Sequence, residues 1–237
     1  MLEQIIKEFL SENNYAEFSP KTFFFDMDGV IFDSMPRHAK AWVKVFSDCG
    51  ITFHEEDVYR NEGRTGRGTI EMVFNDRFGR DATDAEKERI YANKSAYFRT
   101  LGEVRIIPNV GRVLNLLHEN QQQIFVVTGS GEKTLLGSLD KHFPNIFSAD
   151  KMVTALDVKK GKPDPEPYLM GLAKSGMQPW EGVVIENAPL GAKSGRASGM
   201  FTIAVNTGIL DDKELYDAGA HIVLPDMNAL YELISTL

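Results

Sequence analysis

At 237 residues, with 43% hydrophobic and 25% charged side chains, the chain can build a substantial globular core, as one domain or as a core with an insertion. A net charge of −8 without a block of like charges argues against a general nucleic-acid binder, and no apolar run reaches the length of a membrane span. The single cysteine, Cys49, excludes a disulfide framework, and the N-terminus lacks a signal-peptide layout, so a cytoplasmic, monomeric enzyme is expected.

Leu2, Ile5, Ile6, Phe9 and Leu10 fall at helical spacing. They predict a short amphipathic helix in an N-terminal extension, residues 1–19, packed outside the core and without chemistry. Ser19-Pro20 then leads into Phe23-Phe24-Phe25, an apolar run that reads as a strand buried on both faces, in the middle of a parallel sheet. The run ends abruptly in two carboxylates, Asp26 and Asp28, followed by Gly29. In open α/β sheets ligands bind at the carboxyl ends of strands. Two acids so close repel each other unless a cation sits between them, and hard oxygen ligands suit Mg²⁺. The plainer alternative is a solvated Asp-rich turn.

From Pro36 the period changes to that of helices. Ala39, Trp42, Val43 and Phe46 mark one, stopped by Gly50; Ile70, Val73, Phe74 and Phe78 mark a second; Ile90, Lys94, Tyr97, Phe98 and Leu101 mark a third. With no strand-like alternation between them, residues 36–102 predict an all-helical insertion in a core made of 20–35 and 103–237. Asp33 to Pro36 and Glu103 to Pro108 are its expected hinges.

Beyond Ile106-Ile107-Pro108 the chain reads as βα units. Strands are predicted at Gln123 to Val127, Met152 to Thr154, Val183 to Ile185, Phe201 to Val205 and Ile222 to Leu224. Strands alternating with helices imply an α/β, Rossmann-like doubly wound parallel sheet. Asp164 is placed to cap a helix with Pro165 in its first turn. The strand ends then carry Asp26, Thr128 and Glu186, with Lys162 in a loop after a fourth strand, and all share one sheet edge. That set suits metal-assisted phosphoryl transfer. Carboxylates hold Mg²⁺, Thr128 with the amides of Gly129 and Ser130 cradles phosphate, and Lys162 offsets developing negative charge.

Four motifs stand in order: Asp26-Met27-Asp28-Gly29-Val30, Thr128-Gly129-Ser130, Lys162-Pro163-Asp164-Pro165 and Glu186-Asn187-Ala188-Pro189-Leu190-Gly191. The chain thereby resembles the haloacid dehalogenase superfamily over nearly its whole length after residue 20, and its insertion resembles the cap of the β-phosphoglucomutase-like subclass. The resemblance implies that Asp26 is a nucleophile forming an aspartyl phosphate and Asp28 the general acid and base. It also implies that Asp26, the Asp28 carbonyl and Glu186 hold Mg²⁺. The dehalogenases lack a second acid at the position of Asp28, which favours a phosphoryl substrate, and no lysine is evident where phosphonate-cleaving members form a Schiff base. Asn187 departs from the aspartate usual in the subclass; it brings less charge to a metal, and could instead cap the helix near Pro189.

The stretch Asn61-Glu62-Gly63-Arg64-Thr65-Gly66-Arg67-Gly68-Thr69 resembles the cap loop that selects substrate in this family. Arg64 and Arg67 could meet an anion; the alternative is a surface turn with Thr69 capping the next helix. Glu62 stands where the mutases have a basic residue, and with Asn187 it resembles a capped branch with inorganic pyrophosphatase activity. A small phosphate compound such as pyrophosphate is therefore the leading expectation. The alternatives are β-phosphoglucomutase or a sugar-phosphate phosphatase and, from another class, a non-catalytic phosphometabolite sensor, which needs no nucleophile paired with an acid. His38 lies near the hinge, as in the mutases, either to contact substrate and relay closure or as a partly exposed helix residue.

Overall fold

The computed structural model describes residues 2–131 and 133–237. Helix α1 (Leu2–Asn13) precedes strand β1 (Thr22–Phe25), the short strand β2 (Phe32–Asp33) and four helices: α2 (Met35–Asp48), α3 (Glu55–Arg60), α4 (Gly66–Phe78) and α5 (Asp84–Thr100). The chain returns through β3 (Arg105–Ile106), α6 (Val110–Glu119), β4 (Gln123–Val127), α7 (Lys133–His142) and β5 (Met152–Val153). It ends with α8 (Glu166–Ser175), β6 (Gly182–Glu186), α9 (Pro189–Ala197), β7 (Phe201–Val205), α10 (Asp212–Asp217), β8 (Ile222–Leu224) and α11 (Met227–Ile234). None of the described helices is long and apolar enough to cross a membrane.

Six strands form one parallel sheet in the order β5-β4-β1-β6-β7-β8. The three phenylalanines of β1 explain its central place, because successive side chains point to opposite faces and both faces are covered. Phe23 and Phe25 pack with Phe9, Leu114, Val126 and Leu230 on one side, while Phe24 packs with Phe125, Tyr168 and Met200 on the other. Phe25 is level with Val126 of β4 and Ile185 of β6. That register brings Asp26, Thr128 and Glu186 to one edge of the sheet.

Helices α2 to α5 pack on an apolar cluster of their own, with Trp42, Phe46, Tyr59, Ile70, Phe74 and Ile90 inside it. The structure adds two elements to those the sequence predicts there. Helix α3 has only six residues, too few for Val58 and Tyr59 to set up a period. Strands β2 and β3 pair antiparallel, Phe32 with Ile106 and Asp33 with Arg105, so the two crossings into the helical insertion run side by side as a ribbon.

Candidate active site

Asp26 leaves β1 almost fully buried, its amide donating to the Ile185 carbonyl at 2.9 Å. Lys162 Nζ bridges the site, donating to Asp26 Oδ1 at 2.6 Å, to Glu186 Oε1 at 2.5 Å and to the Val127 carbonyl at 3.0 Å. Tyr168 donates to the same Glu186 oxygen at 2.6 Å. Burial pushes the Asp26 carboxyl up to about 8, with Glu186 and Asp28 adding to the rise and Lys162 opposing it. Burial alone would lower the Lys162 ammonium, but Asp26 and Glu186 outweigh it and hold the group above its ordinary range.

Asp28 is treated differently. Burial would raise it, yet His38 and the hydroxyl of Ser34 hold it below the usual carboxylate range. Ser34 donates to Asp28 Oδ1 at 2.5 Å and His38 Nε2 stands 3.1 Å from the same oxygen. Lys94 Nζ lies 2.9 Å from His38 Nδ1, so donation there leaves Nε2 to carry the ring hydrogen toward Asp28. His38 is itself buried and stacked on Phe98 at 4.4 Å, which fixes its ring. Two neighbouring carboxylates thus have opposed proton affinities, set by burial at Asp26 and by His38 and Ser34 at Asp28.

The remaining residues close the site from above. Glu62 is buried at 6% exposure, and Asn187 Nδ2 donates to its Oε1 at 2.9 Å. Burial and then Asp26 raise the Glu62 carboxyl well above its ordinary value, while the hydrogen bond from Asn187 opposes them. Gly29 turns at φ +75°, and a Cβ there would meet Asn187 Nδ2 at 2.1 Å. Gly129 sits so close below the insertion that a Cβ would meet the Gly63 carbonyl oxygen at 2.3 Å. Thr128 Oγ1 accepts from the Ser130 amide at 2.9 Å, which orients the turn after β4. A pocket of about 60 Å³ remains, walled by Asp26, Asp28, His38, Glu62, Gly129 and Ser130 among others.

Asp26, Asp28, His38, Glu62, Gly129, Ser130 and Arg64 thus meet in one pocket. Thr128, Lys162, Glu186 and Asn187 lie buried directly behind it through the hydrogen bonds above. Thr65 and Arg67 do not join them. Thr65 is the cap of α4, accepting from the Gly68 amide at 3.1 Å, a place that the surface-turn alternative gives to Thr69. Arg67 is half exposed and paired with Asp84. Asn187 caps no helix, since Ala188 holds that position before α9, and α8 begins one residue later than expected, with Pro165 rather than Asp164 at its cap although Asp164 accepts from the Glu166 amide at 3.0 Å. Sequence reasoning missed Ser34, Tyr168 and Lys94 as parts of the site. Lys94 had a signal: an ammonium on the apolar face of a predicted helix, now buried beside Trp42, Tyr91 and Phe98.

A divalent cation fits this donor set. Asn187 Oδ1 is buried and has no hydrogen-bond partner, and the carboxyls of Asp26, Glu62 and Glu186 are buried in the same site. Among the described residues no three carboxylate, imidazole or thiol side chains form a ligand cluster on their own. The set that fits is mixed, with the Asn187 amide oxygen beside carboxylates.

Residues 23–205 match the family described as haloacid dehalogenase-like hydrolase. The chain is 31% identical to 2-deoxyglucose-6-phosphate phosphatase 1 of Saccharomyces cerevisiae, over 90% of each chain. It is 31% identical to hexitol phosphatase A of Escherichia coli, over 78% of this chain and 83% of that one. A Bacteroides vulgatus structure provisionally named a beta-phosphoglucomutase superposes with a TM-score of 0.95 at 44% identity, covering 98% of this chain and 95% of its own.

Proposed function

The chain belongs to the haloacid dehalogenase-like hydrolase family, and within it we propose a Mg²⁺-dependent phosphatase of sugar phosphates. The observation that carries the chemistry is the placement of Asp26 and Asp28 at one strand end on the wall of one pocket, Asp26 held by the Lys162 ammonium and Asp28 by Ser34 and His38. The relatives move the substrate from pyrophosphate, the leading expectation of the sequence, to a phosphorylated sugar, since the two enzymes at 31% identity are named as phosphatases of a sugar phosphate and of hexitol phosphates and the Bacteroides structure as a sugar-phosphate mutase.

Asp26, the backbone carbonyl of Asp28 and Asn187 would hold Mg²⁺, with Glu186 beside them; when bound, it supplies the positive charge that draws the phosphate in and offsets charge on the phosphoryl oxygens. The Asp26 carboxylate attacks phosphorus and forms an aspartyl phosphate, while the ester oxygen leaves with a proton from Asp28. Asp28 is held below the usual carboxylate range at rest; the charge of the arriving phosphate raises its proton affinity, so that it takes up a proton from solvent before the ester bond breaks. Asp26, its own affinity lowered by bound Mg²⁺, attacks ionised. Water then attacks the aspartyl phosphorus and gives its proton to Asp28, so that inorganic phosphate departs and Asp26 is restored. Lys162 neutralises Asp26 and Glu186 throughout, and the turn at Thr128 to Ser130 presents amides to the phosphate. His38 and Lys94 position Asp28. The insertion acts as a cap that excludes water while the ester is cleaved.

Pyrophosphate remains the second reading, favoured by the small pocket and by Glu62 in its wall. The test is phosphate release from hexose 6-phosphates, hexitol phosphates, β-glucose 1-phosphate and pyrophosphate, with Mg²⁺ or with chelator. We expect Mg²⁺-dependent release from the sugar phosphates, reduced at least about a thousandfold in Asp26→Asn. Release from pyrophosphate alone, or isomerisation of β-glucose 1-phosphate without free phosphate, would overturn the reading.

A further inference from the structure

Tyr168 is fully buried at the site, and the chemistry above gives it no part. It stands in the first turn of α8, with its ring in the apolar layer formed by Phe24, Phe125, Val127, Val184 and Met200. A phenylalanine would fill that layer as well. A hydroxyl carried into it costs free energy unless it is bonded, so the reason for the hydroxyl lies in its partner. That partner is Glu186 Oε1, at 2.6 Å.

The same oxygen already holds the Lys162 ammonium at 2.5 Å, and the other, Oε2, accepts from the Asn187 amide at 3.1 Å. The first turn of α9 lies against this carboxylate, so closely that a Cβ on Gly191 would stand 2.0 Å from its carbon. Glu186 is therefore fixed by α8, by α9 and by Lys162. Lys162 in turn donates to Glu186, to the Val127 carbonyl and, at 2.6 Å, to Asp26 Oδ1. Its ammonium also lies 4.9 Å from the centroid of the Tyr168 ring. Tyr168 thus touches the lysine with its face and the glutamate with its hydroxyl. The two carboxylates stand almost equally far from one cation and compete for it. Of two such anions, the one with fewer other donors takes the larger share.

We propose that Tyr168 is a positioning residue that sets how Lys162 is divided between Glu186 and Asp26. Its hydroxyl occupies Glu186 Oε1 and weakens the hold of that oxygen on the ammonium. Lys162 then stays on Asp26 and keeps the nucleophilic carboxyl in one orientation. The inference rests on the phosphatase reading above and adds a residue to it.

The test is Tyr168→Phe, which keeps the ring in its layer and removes only the hydroxyl. For the best sugar phosphate kcat falls about tenfold or more, the size of one hydrogen bond to a charged group. KM stays within about threefold, because Tyr168 lies behind the wall of the pocket. In Glu186→Gln protein, where the competing charge is gone, adding Tyr168→Phe lowers kcat by less than about twofold further. An unchanged kcat in Tyr168→Phe, or a fall of the same size in both backgrounds, would overturn the proposal. Failure of the phosphatase reading looks different: wild type would release phosphate from no sugar phosphate. For that case Asp26 is read without turnover, by calorimetry with Mg²⁺ and aluminium fluoride, a stand-in for the phosphoryl group in transfer. Tyr168→Phe should bind aluminium fluoride about tenfold more weakly while binding inorganic phosphate as wild type does. Weakening of both anions alike, or of neither, refutes the positioning role.

Discussion

Two pieces of chain pack against the same sheet core, and they do so by opposite means. Helix α1 is held by aromatics. Phe9 is fully buried, with its ring edge-on to Tyr15, Phe18, Phe201 and His221 at centroid distances of 5.2 to 5.7 Å. The helical insertion meets the core through buried charge and bare backbone: Glu62 on Asn187, Gly63 over Gly129 and Lys162, and Arg60 with Glu214 at the rim. On the core side Leu210 joins the apolar cluster of the insertion. Apolar burial is non-directional and needs no ligand, so α1 is fastened permanently. An interface of like carboxylates holds best when something positive arrives, so closure of the insertion is tied to what the pocket contains.

The largest effect should come from breaking the aromatic fastening. Phe9→Ala should destabilise the fold by about 3–5 kcal/mol, near the cost of other buried Phe→Ala changes, as read by urea denaturation. Phosphate release by the folded fraction should be unchanged. A loss below about 1 kcal/mol would mean that α1 is not anchored through Phe9.

The same patch should give the molecule an acid limit. His221 accepts from the Thr202 amide through Nδ1 at 2.9 Å, lies beside the Arg196 guanidinium, and is stacked on Phe201 at 4.7 Å. Burial first, then Arg196, lowers its pKa to about 3. Because the folded-state pKa is depressed, the unfolded chain binds the proton more readily. The stability His221 contributes is therefore complete above its unfolded value of about 6.5 and is lost as pH falls toward 3. Allowing for its partial exposure, the slope is about 1 kcal/mol per pH unit, or about 2 kcal/mol between pH 6.5 and 4.5. Melts of His221→Gln across that range should be flatter by this amount, and parallel curves would refute the assignment.

At the polar interface the sign reverses. Glu62→Gln removes a carboxyl that burial and Asp26 keep from ionising in the fold but that ionises freely in the unfolded chain, and should stabilise protein held in chelator at neutral pH by about 1 kcal/mol, raising Tm by about 2–4 °C. Saturating Mg²⁺ should shrink that gain, and a fall in Tm in chelator would contradict the repulsion argued for Glu62. The smallest effect belongs to the rim. Arg60→Ala, removing a half-exposed ion pair with Glu214, should cost under about 1 kcal/mol in the same melts.

How much of this could be read in advance depended on whether a feature is local or shared. Every strand of the six-stranded sheet was legible, because each is an apolar run, and Asp26, Thr128 and Glu186 were legible as polar residues where such runs stop. The ribbon of β2 and β3 was not, since Phe32-Asp33 and Arg105-Ile106 each pair one apolar with one charged residue and make no apolar run. Lys94 sat in the pattern of α5 as one more core-facing position; its partner His38 is 56 residues away, and only the packing of α2 on α5 joins them. Arg64 and Arg67 looked equivalent in sequence, and the turn of α4 sends one to the pocket and the other to Asp84. Substrate was the least legible feature. Glu62 pointed toward pyrophosphate, but the sugar and hexitol phosphates of the relatives are not written in any single motif.

The β2–β3 ribbon has a consequence for how such a molecule can change over time. Both ends of the helical segment leave the core as neighbours, hydrogen-bonded to each other and off the edge of the main sheet. The core is in effect a socket with two adjacent contacts. Any folded unit whose termini lie side by side can be plugged in without shifting the register of the six strands or the carboxylates at their ends. Selectivity can then be exchanged as a cassette while the chemistry is inherited intact.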